Sequence, residues 1–264
     1  MSLPASALTV PLLIELDAVG STNTELIARS AASELPSFTT LVTAEQTGGR
    51  GRLDRVWTAP RGAALAISVL VRRGPGGGAP VLDPAALGWL PLLAGVAMST
   101  AVAGLVPQPV GLKWPNDVLI GERKVCGILA ELAPGGDVVI GAGLNTTMTH
   151  EQLPVPTATS LVIEGADPAG LEDRAVSAYL TLLRQLVGEL IDARGDADAS
   201  GLRARVSAAC TSLGRRVRVE LPGGATLHGT AEELDAAGRL LVRDDSTGRV
   251  VPVAAGDVTH LRYE

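Results

Sequence analysis

A chain of 264 residues that is 46% hydrophobic has enough apolar material for one large domain and a small one, and too much to stay disordered. Its net charge of -6 argues against a broad nucleic-acid-binding face, while leaving room for a local basic pocket. The two cysteines, Cys126 and Cys210, match no metal or disulfide spacing, which suits a reducing cytosol, and Met1 to Val10 lacks the basic start of a secretion signal.

Leu12 to Leu16 reads as a first strand. Thr22 and Glu25 have the spacing of a capping box, which predicts a helix from Thr24 to Ala32. Ser21, Thr22 and Asn23 in front of it serve either as caps alone or as neutral hydrogen-bonding groups for a ligand. Thr40 to Glu45 and Ala63 to Val71 read as strands, and between them lies Gly48-Gly49-Arg50-Gly51-Arg52. Glycines let a backbone approach a ligand closely, and guanidinium planes suit carboxylate and phosphate oxygens. The alternative is a surface turn whose arginines only solubilise, and the Lys-Ser/Thr ending of a P-loop is missing. Trp57, at the far end, is a stacking face for a flat ring or simply core packing.

Arg72 to Pro80 is a glycine-rich loop, and Pro84 to Leu112 carries no charge. That run is long enough for a membrane span, which takes about 20 residues. Its glycines and prolines, and the lack of flanking basic anchors, favour a helix from Pro84 to Leu105 buried on all sides. Gly111-Leu-Lys-Trp-Pro-Asn-Asp117 then breaks the apolar pattern, and Pro115 holds the chain extended beside it. Of 22 cationic residues only Lys113 and Lys124 are lysines, and they fall within one short segment. Val118 to Ile120 and Val125 to Leu132 read as a hairpin, and Val138 to Asn145 as a strand whose two inner glycines imply close approach by a neighbour. A long helix follows from Asp167-Pro168 to Ala193, then a short one from Gly201 to Ala209. From Leu213 the pattern becomes four or five short strands separated by glycine turns, the mark of a small β-barrel.

Arg50, Arg52 and Lys113 on neighbouring loops would accept several negative charges, such as a triphosphate plus a carboxylate. Gln46, Ser21, Thr22 and Asn23 would bond an uncharged polar ring. The combination of Ser21-Thr-Asn23, Gln46-Thr-Gly-Gly-Arg-Gly-Arg52, Lys113-Trp-Pro-Asn-Asp117, Lys124-Val-Cys-Gly-Ile-Leu-Ala-Glu131 and Gly141-Ala-Gly-Leu-Asn145, in this order, resembles the biotin protein ligases. The resemblance runs from about residue 10 to the end. It implies an α+β fold, with a mixed-sheet catalytic domain of the biotin/lipoate ligase type over residues 1–211 and an SH3-like β-barrel over 212–264. It also implies a cytoplasmic, monomeric or homodimeric enzyme that uses ATP and Mg²⁺ to convert biotin to biotinyl-5′-AMP. The biotin then passes to a lysine on the carrier domain of an acyl-CoA carboxylase, with no nucleic acid or membrane involved. By the same resemblance Ser21, Thr22, Asn23 and Gln46 contact biotin, and Arg50, Gly51 and Arg52 belong to the loop that folds over biotin and the phosphates. Lys113 sits between carboxylate and α-phosphate as a catalytic group with Arg50 and Arg52, while Trp57, Asn116 and Asn145 lie on the nucleotide side; no metal ligand is assigned.

Two features depart from the family. Leu53-Asp54 stands where a glycine usually follows the second arginine by two residues, so Asp54 brings a negative charge that can pair with Arg52 or Arg55. Repressor members carry a winged helix-turn-helix ahead of the catalytic domain, and the position of Ser21 leaves no room for one. The neighbouring alternatives are a lipoate or octanoate ligase, a regulator without enzyme activity, and a nucleotide sensor whose loop Asp54 disables.

Overall fold

The computed structural model describes residues 2–53, 55–73, 82–221, 224–255 and 260–263; the glycine run at 74–78 and Asp54 lie outside them. One helical turn, α1 (Pro4–Ala7), precedes β1 (Leu13–Leu16). The helix α2 (Thr22–Ala32) links β1 to β2 (Thr40–Thr43), which runs parallel to it. Two short strands follow, β3 (Gly49–Arg50) and β4 (Val56–Trp57), paired with each other. The glycine–arginine stretch is therefore a small hairpin rather than a free loop: the Gly51 N–H closes it on the Arg55 carbonyl at 2.7 Å.

The sheet continues with β5 (Ala64–Val71), β6 (Val110–Lys113), β7 (Asp117–Ile120), β8 (Arg123–Leu132) and β9 (Val138–Asn145). Seven strands lie in the order β1-β2-β5-β9-β8-β7-β6, and every pair after the first is antiparallel. Continuous apolar stretches such as that of β5 need cover on both faces. One face is covered by α3 (Trp89–Ala103) and α4 (Leu171–Asp192), which bury Val42, Leu65, Ile67, Val69 and Ile140. The other carries α2, whose Leu26 packs on Leu41, Leu70 and Val139.

The uncharged run is a core helix, shorter than expected. A 3₁₀ turn occupies Pro84–Gly88, and twelve of the fifteen residues of α3 are buried. It lies so close to β6 that a Cβ on Gly95 would come within 2.5 Å of Leu112 Cδ1. The cap of α2 also differs from the expectation. Ser21 is the N-cap, accepting from Thr24 N at 3.5 Å, and Thr22 is already helical, because its polar groups are committed elsewhere, as described below.

After α5 (Leu202–Ala209) the chain enters a five-stranded antiparallel sheet, the SH3-like part of the α+β fold. Its strands are β10 (Arg216–Glu220), β11 (Thr226–Leu234), β12 (Leu240–Asp244), β13 (Val250–Val253) and β14 (His260–Tyr263), in the order β13-β12-β11-β10-β14. Two tryptophans of the larger part fasten it: Trp89 Nε1 donates to Ala236 O at 2.9 Å, and Trp114 Nε1 to Gly238 O at 3.1 Å. Both indoles are fully buried, so leaving either carbonyl unpaired is costly. Trp89→Phe is expected to lower unfolding free energy by about 2 kcal/mol through the lost hydrogen bond and the space left behind. Denaturant titration measures this, and an unchanged midpoint contradicts the anchoring role.

Candidate active site

Register decides what lies at the bottom of the site. Side chains alternate between the faces of a strand, and residues paired across strands share a face. One such row runs Thr43, Ala66, Gly143, Gly127, Asp117, Lys113, crossing six strands from β2 to β6. The next row on that face is Ser68, Gly141 and Leu129. Small residues therefore make a floor beside α2, with Asp117 and Lys113 at one end. Neighbours already fill the space where side chains would stand. An added Cβ would lie 2.5 Å from Asn23 Oδ1 at Gly141, 2.9 Å from the Trp57 ring at Gly143, and 3.0 Å from Lys124 Nζ at Gly127. A cavity of about 260 Å³ opens above this floor.

At its neutral end the start of α2 meets the segment after β2. Gln46 Oε1 accepts from both the N–H (2.8 Å) and the hydroxyl (2.9 Å) of Thr22. Asn23 Nδ2 donates to Leu129 O at 3.1 Å and Glu131 Oε2 at 2.8 Å, and its Oδ1 accepts from Ser68 Oγ at 2.5 Å. Ser21, Thr22, Asn23 and Gln46 all line the cavity.

The other end is cationic. Arg50, Arg52, Arg55, Lys113 and Lys124 line it, and Asp117 is the one carboxylate among the described lining residues. Two arginines are also structural. Arg50 Nη2 bonds both oxygens of Glu131 at 2.9 and 3.1 Å, and Thr24 Oγ1 at 3.1 Å. Arg52 donates to Asn116 Oδ1 at 3.1 Å and to the Ala255 carbonyl of the small domain. Asn116 in turn donates to Ile128 O at 3.0 Å. The Arg50–Glu131 and Arg52–Asn116 contacts pin the β3–β4 hairpin over the cavity from two sides.

Asp117 Oδ1 pairs with Lys124 Nζ at 2.5 Å. Lys113 Nζ, beside them in the floor row, lies 4.9 Å over the Tyr263 ring. Burial lowers the Lys113 pKa from the ordinary lysine value, Asp117 opposes this, and Lys124 and Arg262 add to the lowering. Burial also lowers the Arg52 pKa, with Asp117 raising it and Arg55 lowering it.

The cavity thus brings together Ser21, Thr22, Asn23, Gln46, Arg50, Gly51, Arg52, Trp57, Lys113 and Asn116. Asn145, expected on the nucleotide side, is not among the cavity-lining residues. It is buried, and its Nδ2 donates to Thr159 O at 2.9 Å, fastening a loop. Leu53 has a left-handed φ of 54°, a conformation costing a non-glycine residue about 1–2 kcal/mol. Ser68 and Tyr263 carry no mark of a site residue in the sequence, and Glu131 only closes the Lys124–Glu131 motif; the period-two pairing of their strands with the motif-bearing ones is what could have found them. The described residues contain no cluster of three or more His, Cys, Asp or Glu placed to hold a metal.

Residues 16–145 match the biotin/lipoate A/B protein ligase family, and residues 212–261 the biotin protein ligase C-terminal domain. A biotin–[acetyl-CoA-carboxylase] ligase of Mycobacterium tuberculosis is 43% identical over 256 residues, covering 94% of this chain and 90% of the relative. Among solved structures, the biotin protein ligase of Aquifex aeolicus in complex with biotin and ATP is similar with a TM-score of 0.71 and 26% identity, over 96% of this chain and 100% of that one. The Leishmania major biotin protein ligase in complex with biotinyl-5-AMP has a TM-score of 0.56 and 27% identity, over 93% and 99%.

Gly143→Ala tests the floor. The new methyl would press on Trp57 atoms 2.9 to 3.1 Å away, at a cost of about 1–3 kcal/mol. Trp89 and Trp114 are fully buried, so a red shift of tryptophan emission reports Trp57 lifting from the sheet. An unshifted spectrum would mean that the indole does not rest there.

Proposed function

The chain belongs to the biotin protein ligases of the biotin/lipoate A/B protein ligase family, and from that premise we propose how its own residues divide the reaction. A cyclic urea has one carbonyl acceptor and two N–H donors. Gln46 Oε1 is occupied by Thr22, which leaves Nε2 to donate and the Thr22 oxygen to accept. The Ser21 hydroxyl accepts from Thr24 N and retains its own proton to donate. Both Asn23 N–H groups are used, which leaves an Oδ1 lone pair. Ser21, Thr22, Asn23 and Gln46 are therefore assigned to the ureido ring. The observation that carries the reading is that this urea-matching end and the cationic end share one cavity.

The reaction joins two anions. A biotin carboxylate oxygen bonds to the α-phosphorus of ATP as the bond to pyrophosphate breaks, giving biotinyl-5′-AMP. The ε-amine of a carrier lysine then attacks the acyl carbon and AMP leaves with the electron pair. Preorganised cations are the strongest means a protein has of stabilising such a transition state. Lys113, at the end of the floor row, is assigned to the position between carboxylate and α-phosphate. Arg50, Gly51 and Arg52 cover the reacting groups, and Lys124 supplies a second ammonium. Trp57 and Asn116 are assigned to the nucleotide. Mg²⁺ would be held chiefly by the substrate phosphates, whose charge it would neutralise; Asp117, the one carboxylate among the described lining residues, is already paired with Lys124. The acceptor is read as the carrier domain of an acyl-CoA carboxylase. A reducing cytosol agrees with two free, buried cysteines.

Purified protein incubated with ATP, Mg²⁺, biotin and a carrier domain should give a biotinylated carrier by intact mass, and lipoate in place of biotin should not. Carrier modified by lipoate alone would favour the neighbouring branch of the family. Lys113→Arg keeps the charge but is wider, and should slow pyrophosphate release about 10²-fold or more; a near wild-type rate contradicts the assignment.

A pH dependence follows from the lowered Lys113 pKa. The carboxylate binds the charged ammonium, and the neutral amine prevails once pH exceeds the pKa of the free protein. Biotin affinity should therefore fall with rising pH by about tenfold per unit, beginning below the ordinary lysine range. Lys113→Arg should flatten this limb, since guanidinium stays charged. Calorimetry across the alkaline range decides it, and an equally steep limb in both proteins assigns the titration elsewhere.

A further inference from the structure

The small domain lines the cavity through Leu261 and, behind that lining, contributes an aromatic ring to the site. Tyr263, on β14, lies with its ring centroid 4.9 Å from Lys113 Nζ, inside the distance at which a ring face attracts an ammonium. Lys113 has no carboxylate of its own among the described residues, because Asp117 is engaged by Lys124 at 2.5 Å. A lysine on four rotatable bonds needs such a partner to hold one position.

The Tyr263 hydroxyl is tied to the backbone on either side of Lys113. It shares hydrogen bonds with Thr211 Oγ1 at 3.0 Å and Ser212 Oγ at 3.2 Å. Thr211 also donates its N–H to Leu112 O at 2.8 Å, and Ser212 Oγ accepts from Trp114 N at 3.0 Å. Ring and hydroxyl thus fix the side chain and both flanking residues of Lys113 to one point. Arg215, 4.4 Å from the same ring and bonded to Glu122 at 3.2 Å, is a second cation on it.

We infer that Tyr263 is a positioning residue: through its ring, the small domain holds the Lys113 ammonium where carboxylate and α-phosphate meet. The inference rests on the role given to Lys113 above. It concerns placement, since Tyr263 is not among the cavity-lining residues.

The charged groups around Lys113 are Asp117 from β7, Lys124 from β8 and Arg262 from β14, with the ring of Tyr263 beneath. Removing the ring leaves two cations and one carboxylate already bonded to one of them. Tyr263→Leu should therefore lower the pH at which Lys113 titrates, by up to about one unit, whereas Tyr263→Phe, which keeps the ring, should leave it in place.

With only two lysines in the chain, the correlation spectrum of lysine Cε–Hε groups resolves each one, and Lys124→Arg assigns them. In the wild type, Lys113 Hε should be shielded by the ring; a Lys113 Hε at the shift of an unstructured lysine overturns the proposal without any variant. In Tyr263→Leu the shielding should vanish, the titration move down, and kcat for adenylation fall roughly three- to thirtyfold. In Tyr263→Phe, which keeps the ring, the shielding should persist and the titration stay within a few tenths of a unit, while kcat, with the hydroxyl ties to Thr211 and Ser212 lost, should fall less than in Tyr263→Leu. Unchanged Lys113 signals in Tyr263→Leu, or changed signals with unchanged kcat, overturn the positioning role. A wild-type protein that shows the shielded Lys113 but adenylates nothing overturns the reaction assigned above, and leaves the ring contact standing.

Discussion

A sheet covered on both faces has no room for a ligand unless it gives up side chains somewhere. This chain gives them up in two adjacent rows, at Ala66, Gly143 and Gly127, then at Ser68 and Gly141. Every other feature of the site is placed by that choice. The start of α2 descends far enough for Asn23 to bond Ser68 and the Leu129 carbonyl. The β3–β4 hairpin lies flat enough for Trp57 to rest on Gly143. Lys113 and Asp117 end the same row because the pairing of three antiparallel strands carries it to them. A slip of one residue in any pairing would turn the floor towards the hydrophobic core.

The second constraint is electrostatic. Among the described lining residues, five cations around one carboxylate repel one another, in a protein whose net charge is -6. The repulsion is relieved by tying Arg50 to Glu131, Arg52 to a side-chain amide and a carbonyl, and Lys124 to Asp117. Lys113 differs in resting on a ring. It retains its full valence for an incoming anion, while burial lowers its pKa.

The elements are legible wherever periodicity is strong. The strand Val138–Asn145 has the same bounds in sequence and in the fold, and its inner glycines mark a place of close approach in both. The glycine–arginine stretch and Lys113-Trp-Pro-Asn-Asp117 share one cavity, as their charges suggest. Less legible is what depends on contacts distant in sequence. The spacing of Thr22 to Glu25 allows Thr22 to cap α2, yet a hydrogen bond to Gln46, 24 residues away, takes its hydroxyl and leaves the cap to Ser21. The bond of the Asn145 amide to Thr159 O likewise joins residues that no local pattern pairs. The Trp89 indole at the start of the uncharged helix bonds Ala236 O, and β14 pairs with β10, both contacts between residues distant in sequence that no local pattern encodes.

The docking of the small domain makes the site a property of a seam. The carbonyl that receives Arg52, the ring under Lys113 and the acceptors of both buried indoles all lie beyond residue 230. A chain ending after α5 would keep every strand of the seven-stranded sheet and still lose one side of its reaction chamber. The two parts are therefore bound to a shared history. A small domain exchanged for that of a distant relative would have to bring its own ring and carbonyls to the same places, so the seam should change only by paired substitutions on its two sides.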